Sequence, residues 1–289
     1  GVLSGEKRSC ISITEREVPS SDPTDLKFSI RRDGDSYVLN GHKSWATGAI
    51  TEECDAIMVL GCTDPAAERH KRHSLVLIPR DTPGLTIGRI ESIYGYDHAP
   101  WGHVDLHFDN VRVPASYLLG EEGGGFSLMQ ATLGYGRIQL AMNGVGAAER
   151  AMSELCAWAE TRIIGGKPLI DRGVVTNAIA VSRMEIDQVR ALVMYTAELI
   201  DREGVKAAKS EIAQCKVVAP NMALGVLDRA IQFHGGAGIS YDTPLAELWV
   251  YQRCTRIGEG ADEVHRDLIA RIEIANQKAK RAARLEAAQ

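Results

Sequence analysis

One glutamate between two glycines, Gly258-Glu259-Gly260, is the residue here whose neighbours best suit it to proton transfer. Flanking glycines let a loop bend sharply, so side chain and amide N–H can face one pocket. A carboxylate held this way is a general base if burial lifts its proton affinity toward the working pH. Otherwise it is a helix-start carboxylate stabilised by the macrodipole. A second segment could hold a planar ligand. Lys43-Ser44-Trp45-Ala46-Thr47-Gly48 sets an indole two positions from a hydroxyl at a strand end. That pair can wall an aromatic ring and donate one bond to it, or can simply pack in a core. Thr14-Glu15-Arg16-Glu17-Val18-Pro19-Ser20-Ser21-Asp22 is a polar loop rich in hydroxyls.

Metal and disulfide chemistry find little footing. The eight histidines give only two close pairs, His70/His73 and His103/His107, read as surface and strand-end residues. No metal site is expected. The six cysteines are scattered without a C-x-x-C pair, as small buried hydrophobes of a reducing compartment would be. A net charge of −5 argues against a general nucleic-acid binder. No apolar run approaches the roughly 20 residues a membrane span needs. No targeting segment is visible, and the sequence opens at Gly1, as a processed or truncated product would.

Two kinds of element must position these residues. From residue 9 to about 113, short apolar runs alternate with turn signals, the pattern of antiparallel β structure folded as a barrel or sandwich. Asp33-Gly34 and Asn40-Gly41 both read as two-residue hairpins, with a further strand expected after each. Beyond Pro114 the period becomes helical, in four segments of about 124–161, 170–202, 205–234 and 243–283. The last is expected to break near Gly258-Glu259-Gly260. Ile179, Ile186, Val189, Val193 and Ile200 form an apolar stripe suited to a bundle core. The fold class is therefore α+β: a β domain over 1–116, then an antiparallel four-helix bundle over 117–289. The charged, Ala-rich end from Lys278 to Gln289 is expected to fray.

Taken in order, the motifs resemble the acyl-CoA dehydrogenase family. They are Thr14-Glu15 through Ser21-Asp22; Lys43, Trp45 and Thr47; Val111, Val113, Pro114 and Leu119-Gly120 through Gly125-Phe126; Arg137; Gln232, Gly235, Gly236 and Gly238; and Ile257-Gly258-Glu259-Gly260. Val18 to Asp22, Arg69 to Ser74 and Asp262 to His265 point to the subgroup that in animals comprises members ten and eleven. The resemblance implies FAD-dependent α,β-dehydrogenation of acyl-CoA, with Glu259 removing the α-proton and the β-hydride passing to flavin N5. It implies flavin contacts at Ile13, Thr14, Ala46 and Thr47, with Trp45 over one face of the ring. Ser21 is then near the pyrophosphate and the CoA arm. Gln232, Gly235 and Gly236 match residues that hold the ADP half, commonly on the neighbouring subunit, and Arg162 and Glu263 also face the cofactor. Arg137 and Gly260 are placed on the substrate side, Arg137 at the CoA region or bracing the base loop. Electron-transferring flavoprotein is the implied acceptor and a homodimer or homotetramer the implied assembly. The implied compartment is cytoplasmic in a bacterium, mitochondrial or peroxisomal in a eukaryote.

Several features depart from the family pattern, among them Arg162-Ile163-Ile164-Gly165-Gly166, which lacks the family's aromatic, and Ala261 in place of threonine. Arg16 stands where the family has proline, which predicts a looser turn. Glu263 brings negative charge toward the cofactor. The family's all-helical N-terminal domain, which walls the acyl pocket, is not in this sequence. Two other readings stay open: an oxidase on the same fold, separable by hydrogen peroxide release, and a non-catalytic oligomerisation or binding pair, which would stay colourless with FAD.

Overall fold

The computed structural model describes Gly1 and residues 3–287. It divides into two compact units, Gly1–Thr132 and Leu133–Gln289. The joint expected at 116/117 falls between the last long strand and the first long helix.

The first unit holds an eight-stranded sheet: β1 (Arg8–Ser12), β2 (Ser29–Asp33), β3 (Ser36–Thr47), β4 (Cys54–Cys62), β5 (His73–Pro79), β6 (Leu85–Ile90), β7 (His103–Pro114) and β8 (Leu118–Leu119). Their order is β6-β7-β3-β2-β4-β5-β8, with β1 added on β4. β2 meets β4 at a single pair, Ser29 with Cys62, so two groups of strands diverge from that corner. Ile30, Tyr37, Leu39, Ile57, Val59, Val76, Ile78, Leu106 and Val111 from both groups fill one core. The pairing is not wholly antiparallel, because β1 runs parallel to β4.

The Asp33-Gly34 hairpin forms, with Gly34 at φ 61°. The Asn40-Gly41 hairpin does not. Those residues lie inside β3, which continues along β7 across a register shift between Leu39 and Gly41. A glycine is needed there for packing: a Cβ on Gly41 would stand 2.9 Å from the Phe28 ring. Phe28 in turn makes an edge contact with Phe108 at 4.8 Å. Local turn propensity lost to a core aromatic that needed the space.

The second unit is helical. α1 (Gly125–Thr161) enters it and is followed by α2 (Gly173–Glu203), α3 (Lys209–His234), α4 (Leu245–Thr255) and α5 (Asp262–Ala287). Ile186, Val189 and Val193 join Leu155, Val226 and Leu227 in its main core, with Ile179 packed against them. Ile200 belongs to a smaller cluster with Ile212. The fourth expected helix is two helices, broken where the glycines lie, and α5 stays helical through Ala287. Ala288 and Gln289 lie outside the described residues. A further short hairpin, β9 (Ile163–Ile164) with β10 (Lys167–Pro168), turns at Gly165 and Gly166, both at positive φ. All six cysteines are free. Among the described residues no helix is long and apolar enough to cross a membrane.

Candidate active site

In the second unit the break between α4 and α5 carries Glu259. Its backbone is left-handed at φ 55°, and Gly260 follows at φ 99°. A non-glycine residue there costs about 1–3 kcal/mol and persists only where its surroundings enforce it. Here three donors do so. Arg137 on α1 donates Nε–H to the Glu259 carbonyl at 3.1 Å. The ring Nε2 of His265 on α5 meets the same oxygen at 3.2 Å. Lys216 on α3, itself fully buried, donates to the Gly260 carbonyl at 3.0 Å. Burial, with Arg137 next in weight, drives the His265 pKa down to about 4. That imidazole is therefore neutral and gives its Nε2 proton to the carbonyl. Asp262 anchors the next turn, accepting from Arg256 at 2.8 Å and from Asn221 at 3.1 Å.

The Glu259 side chain lies against the bare backbone of Gly136 on α1. A Cβ at Gly136 would sit 3.2 Å from each carboxylate oxygen. Oε2 is buried and has no hydrogen-bond partner among the described residues. Burial raises the Glu259 pKa, and the charges of Arg137 and Lys216 only partly offset it. A desolvated, unpartnered carboxylate with raised proton affinity is what a general base requires.

These facts make a prediction for Gly136→Ala. Loss of a glycine from a helix interior favours stability by up to about 1 kcal/mol, while the new methyl crowds the carboxylate. Misplacing a reacting group by an ångström or less can cost roughly 10²-fold in rate. The variant is expected to melt no lower than the parent yet turn over about 10- to 100-fold more slowly. Thermal melts alongside steady-state rates check it, and an unchanged rate would mean the carboxylate has room elsewhere.

In the first unit, a bulge between Lys43 and Ala46 re-aims the end of β3. Trp45 adopts φ 61° and is 43% exposed, Ala46 is buried, and Thr47 is exposed beside it. The loop of residues 13–22 is tied beneath this strand end. The Lys43 ammonium, fully buried, donates to the Ile13 carbonyl at 2.7 Å and to Glu15 Oε1 at 2.8 Å. The Ser44 amide donates to the Thr14 carbonyl at 2.9 Å. Arg16 overturns the expectation of a looser turn: its guanidinium pairs with Glu91 and Asp105 and lies 5.8 Å over the Trp45 ring. Ion pairing holds the turn where the family uses a proline ring. Ser21 is exposed at the loop tip, beside Asp22 paired with Arg69.

Back in the second unit, Trp158 links Arg162 to the C-terminal end of α3. Arg162 stands 5.5 Å over the Trp158 ring, and that indole donates to the Phe233 carbonyl at 3.0 Å and stacks on His234. Arg162 is thus brought to the end of α3 that carries Gln232, Gly235 and Gly236, all exposed. A Cβ on either glycine would meet nothing within 4 Å, which leaves open backbone for a ligand. Glu263 is exposed in the first turn of α5 and pairs with Arg266 at 3.6 Å, which tempers the charge it brings.

Lys216, His265 and Gly136 are absent from any sequence expectation of the site. Only Lys216 left a signal: a lone charge within the apolar run Ala213 to Ala219, broken otherwise by Gln214.

Comparison with known proteins gives two family models that match this chain. The acyl-CoA dehydrogenase middle domain matches residues 10–111, and the acyl-CoA dehydrogenase C-terminal domain matches residues 123–274. The Mycobacterium tuberculosis protein named "Probable acyl-CoA dehydrogenase FadE2" is 48% identical over 98% of this chain and 69% of its own length. Acyl-CoA dehydrogenase family member 11 of Gallus gallus is 44% identical over 98% of this chain, which spans 37% of that relative. A solved Mycobacterium abscessus structure bearing the acyl-CoA dehydrogenase name superposes with TM-score 0.93 at 44% identity, covering 96% of this chain and 68% of that one.

Proposed function

Since the chain belongs to the acyl-CoA dehydrogenase family, we propose that it carries the base and flavin-binding parts of an enzyme that desaturates acyl-CoA thioesters between the α and β carbons. Glu259 takes the α-proton. The observation that carries this reading is its buried carboxylate oxygen, partnerless among the described residues and raised in proton affinity by burial. FAD, when bound, supplies the acceptor for the β-hydride at its N5. The residues present fit such a group: the bulge turns an indole and a hydroxyl outward side by side, and open glycine backbone ends α3.

Trp45 walls the ring and Thr47 offers a hydroxyl to its edge, while Ile13, Thr14, Ala46 and Ser21 complete the contacts from the same unit. In the second unit, Arg162, Gln232, Gly235, Gly236 and Glu263 offer contacts to the ADP half of a flavin, commonly the neighbouring subunit's in this family. Arg137 holds the base loop through the Glu259 carbonyl, and Gly260 lets the loop bend toward the substrate. Electrons leave to an electron-transferring flavoprotein, and the assembly is a homodimer or homotetramer.

The test is an anaerobic titration. The purified chain, incubated with FAD and freed of excess, is expected to be yellow and to bleach on addition of an acyl-CoA ester. A colourless protein, or a yellow one indifferent to a panel of straight and branched acyl-CoA esters, would remove the reading.

A further inference from the structure

Behind Thr47, at the outward end of β3, stand two histidines with no part in the roles proposed for the site. Thr47 Oγ1 lies 2.8 Å from His103 Nδ1, and His103 Nε2 lies 3.1 Å from His98 Nδ1. The backbone holds all three in place. Thr47 and His103 are cross-strand partners in the register of β3 and β7. The segment between the histidines doubles back, with the Gly102 amide donating to the His98 carbonyl at 3.0 Å. It is then pinned to the end of β3, because the Gly48 amide reaches the carbonyls of Trp101 at 3.1 Å and Gly102 at 3.2 Å. His98 itself adopts φ 53°, a conformation a non-glycine residue rarely takes.

A purely architectural pair would need only one of these contacts. An exposed threonine hydroxyl is satisfied by water, so a partly buried imidazole on it constrains direction more than it adds stability. A hydroxyl has one proton to give. If His103 accepts that proton on Nδ1, Thr47 has only lone pairs left for a ligand. If His103 donates from Nδ1, Thr47 must send its own proton outward. Which case holds depends on the tautomer of His103, and its other nitrogen is in contact with His98. Burial and the neighbouring His98 both lower the His103 pKa, so a neutral ring with a single N–H is the form present near neutral pH.

We propose that His98 donates to His103 Nε2, that His103 therefore donates from Nδ1 to Thr47, and that this relay aims the Thr47 proton at the ring ligand beside Trp45. His103 and His98 are positioning residues that act through Thr47. The proposal rests on the flavin reading above, since an oxidised flavin N5 is the acceptor that needs such a donor.

Two measurements on the full chain test it. Imidazole nitrogen shifts of histidine-labelled protein near neutral pH are expected to show His103 neutral with its proton on Nδ1. In His98→Phe that proton is expected to redistribute toward Nε2, and in His98→Asn, which keeps a donor, to stay on Nδ1. A parent His103 protonated on Nε2, or on both nitrogens, overturns the relay whether or not flavin binds. With FAD bound, Thr47→Val and His103→Leu are each expected to shift the oxidised-to-reduced equilibrium in the same direction, roughly tenfold, or about 30 mV for a two-electron couple. The double variant is expected to match Thr47→Val alone. Additive shifts, or no shift from His103→Leu where Thr47→Val gives one, overturn the proposal. A chain that binds no FAD, or one whose potential ignores Thr47→Val, counts against the flavin reading instead.

Discussion

Glu259→Gln is expected to keep the flavin bound and yellow while its reduction by acyl-CoA falls by on the order of 10²–10⁴-fold, the usual contribution of a positioned base. The amide is nearly isosteric, so the donors on the Glu259 and Gly260 carbonyls should stay seated. The pH profile gives an independent check. Burial raises the Glu259 pKa above its ordinary 4.5. The base works only when ionised, so the rate of flavin reduction should climb with pH through a value above the ordinary carboxylate range. That limb should vanish in the variant. Rapid-mixing spectroscopy from pH 5 upward, roughly where free carboxylates are already ionised, would show it. A wild-type rate in Glu259→Gln, or an identical acid limb in both proteins, would place the base elsewhere.

The second large effect concerns stability. Glu15→Ala is expected to destabilise the first unit by about 3–5 kcal/mol, the usual cost of breaking a buried ion pair from one side. The change strands the Lys43 ammonium, which is fully buried and keeps the Ile13 carbonyl and the face of the Phe28 ring but no counter-charge among its described contacts. It also orphans the amides of Lys27 and Phe28, which donate to the Glu15 carboxylate at 2.8 and 3.0 Å. Replacing both charges, in Glu15→Ala with Lys43→Met, should recover part of the loss because no buried charge is then unpaired. Urea midpoints of the parent, single and double variants decide the matter; a single variant as stable as the parent would mean water reaches Lys43.

Much of this was readable from residue order. The change of period after Pro114 separated the strands from the long helices, and the apolar stripe of α2 entered the core it was expected to enter, with Ile200 in a satellite cluster. The break at Gly258-Glu259-Gly260 was legible because glycines carry their own conformational signal. Asn40-Gly41 carried the same kind of signal and misled, since the reason for Gly41 is Phe28, packed from another strand. Gly136 carried no signal of its own; its use as the space for the carboxylate borne by the break between α4 and α5 is a contact between distant segments. Glu15 and Lys43 stood in two separate motifs, and nothing in either segment announced that they pair. Likewise, Arg16 read alone looked like a lost proline, while its partners Glu91 and Asp105 come from far along the chain. Propensity is local and was read well; pairing between remote charges was not.

The seating of the Glu259 loop also has an electrical side. A trans peptide carries its N–H opposite its C=O. Donors on the carbonyls of residues 259 and 260 therefore turn the amides of Gly260 and Ala261 the other way, and each such bond sharpens the dipole behind it. The backbone of this break is polarised like a small electrode, with the Arg137 and Lys216 cations on its carbonyl side and the two amide hydrogens forming the opposite front. An enolate-like charge arriving on that front would meet a field already standing, with no dipole left to rotate.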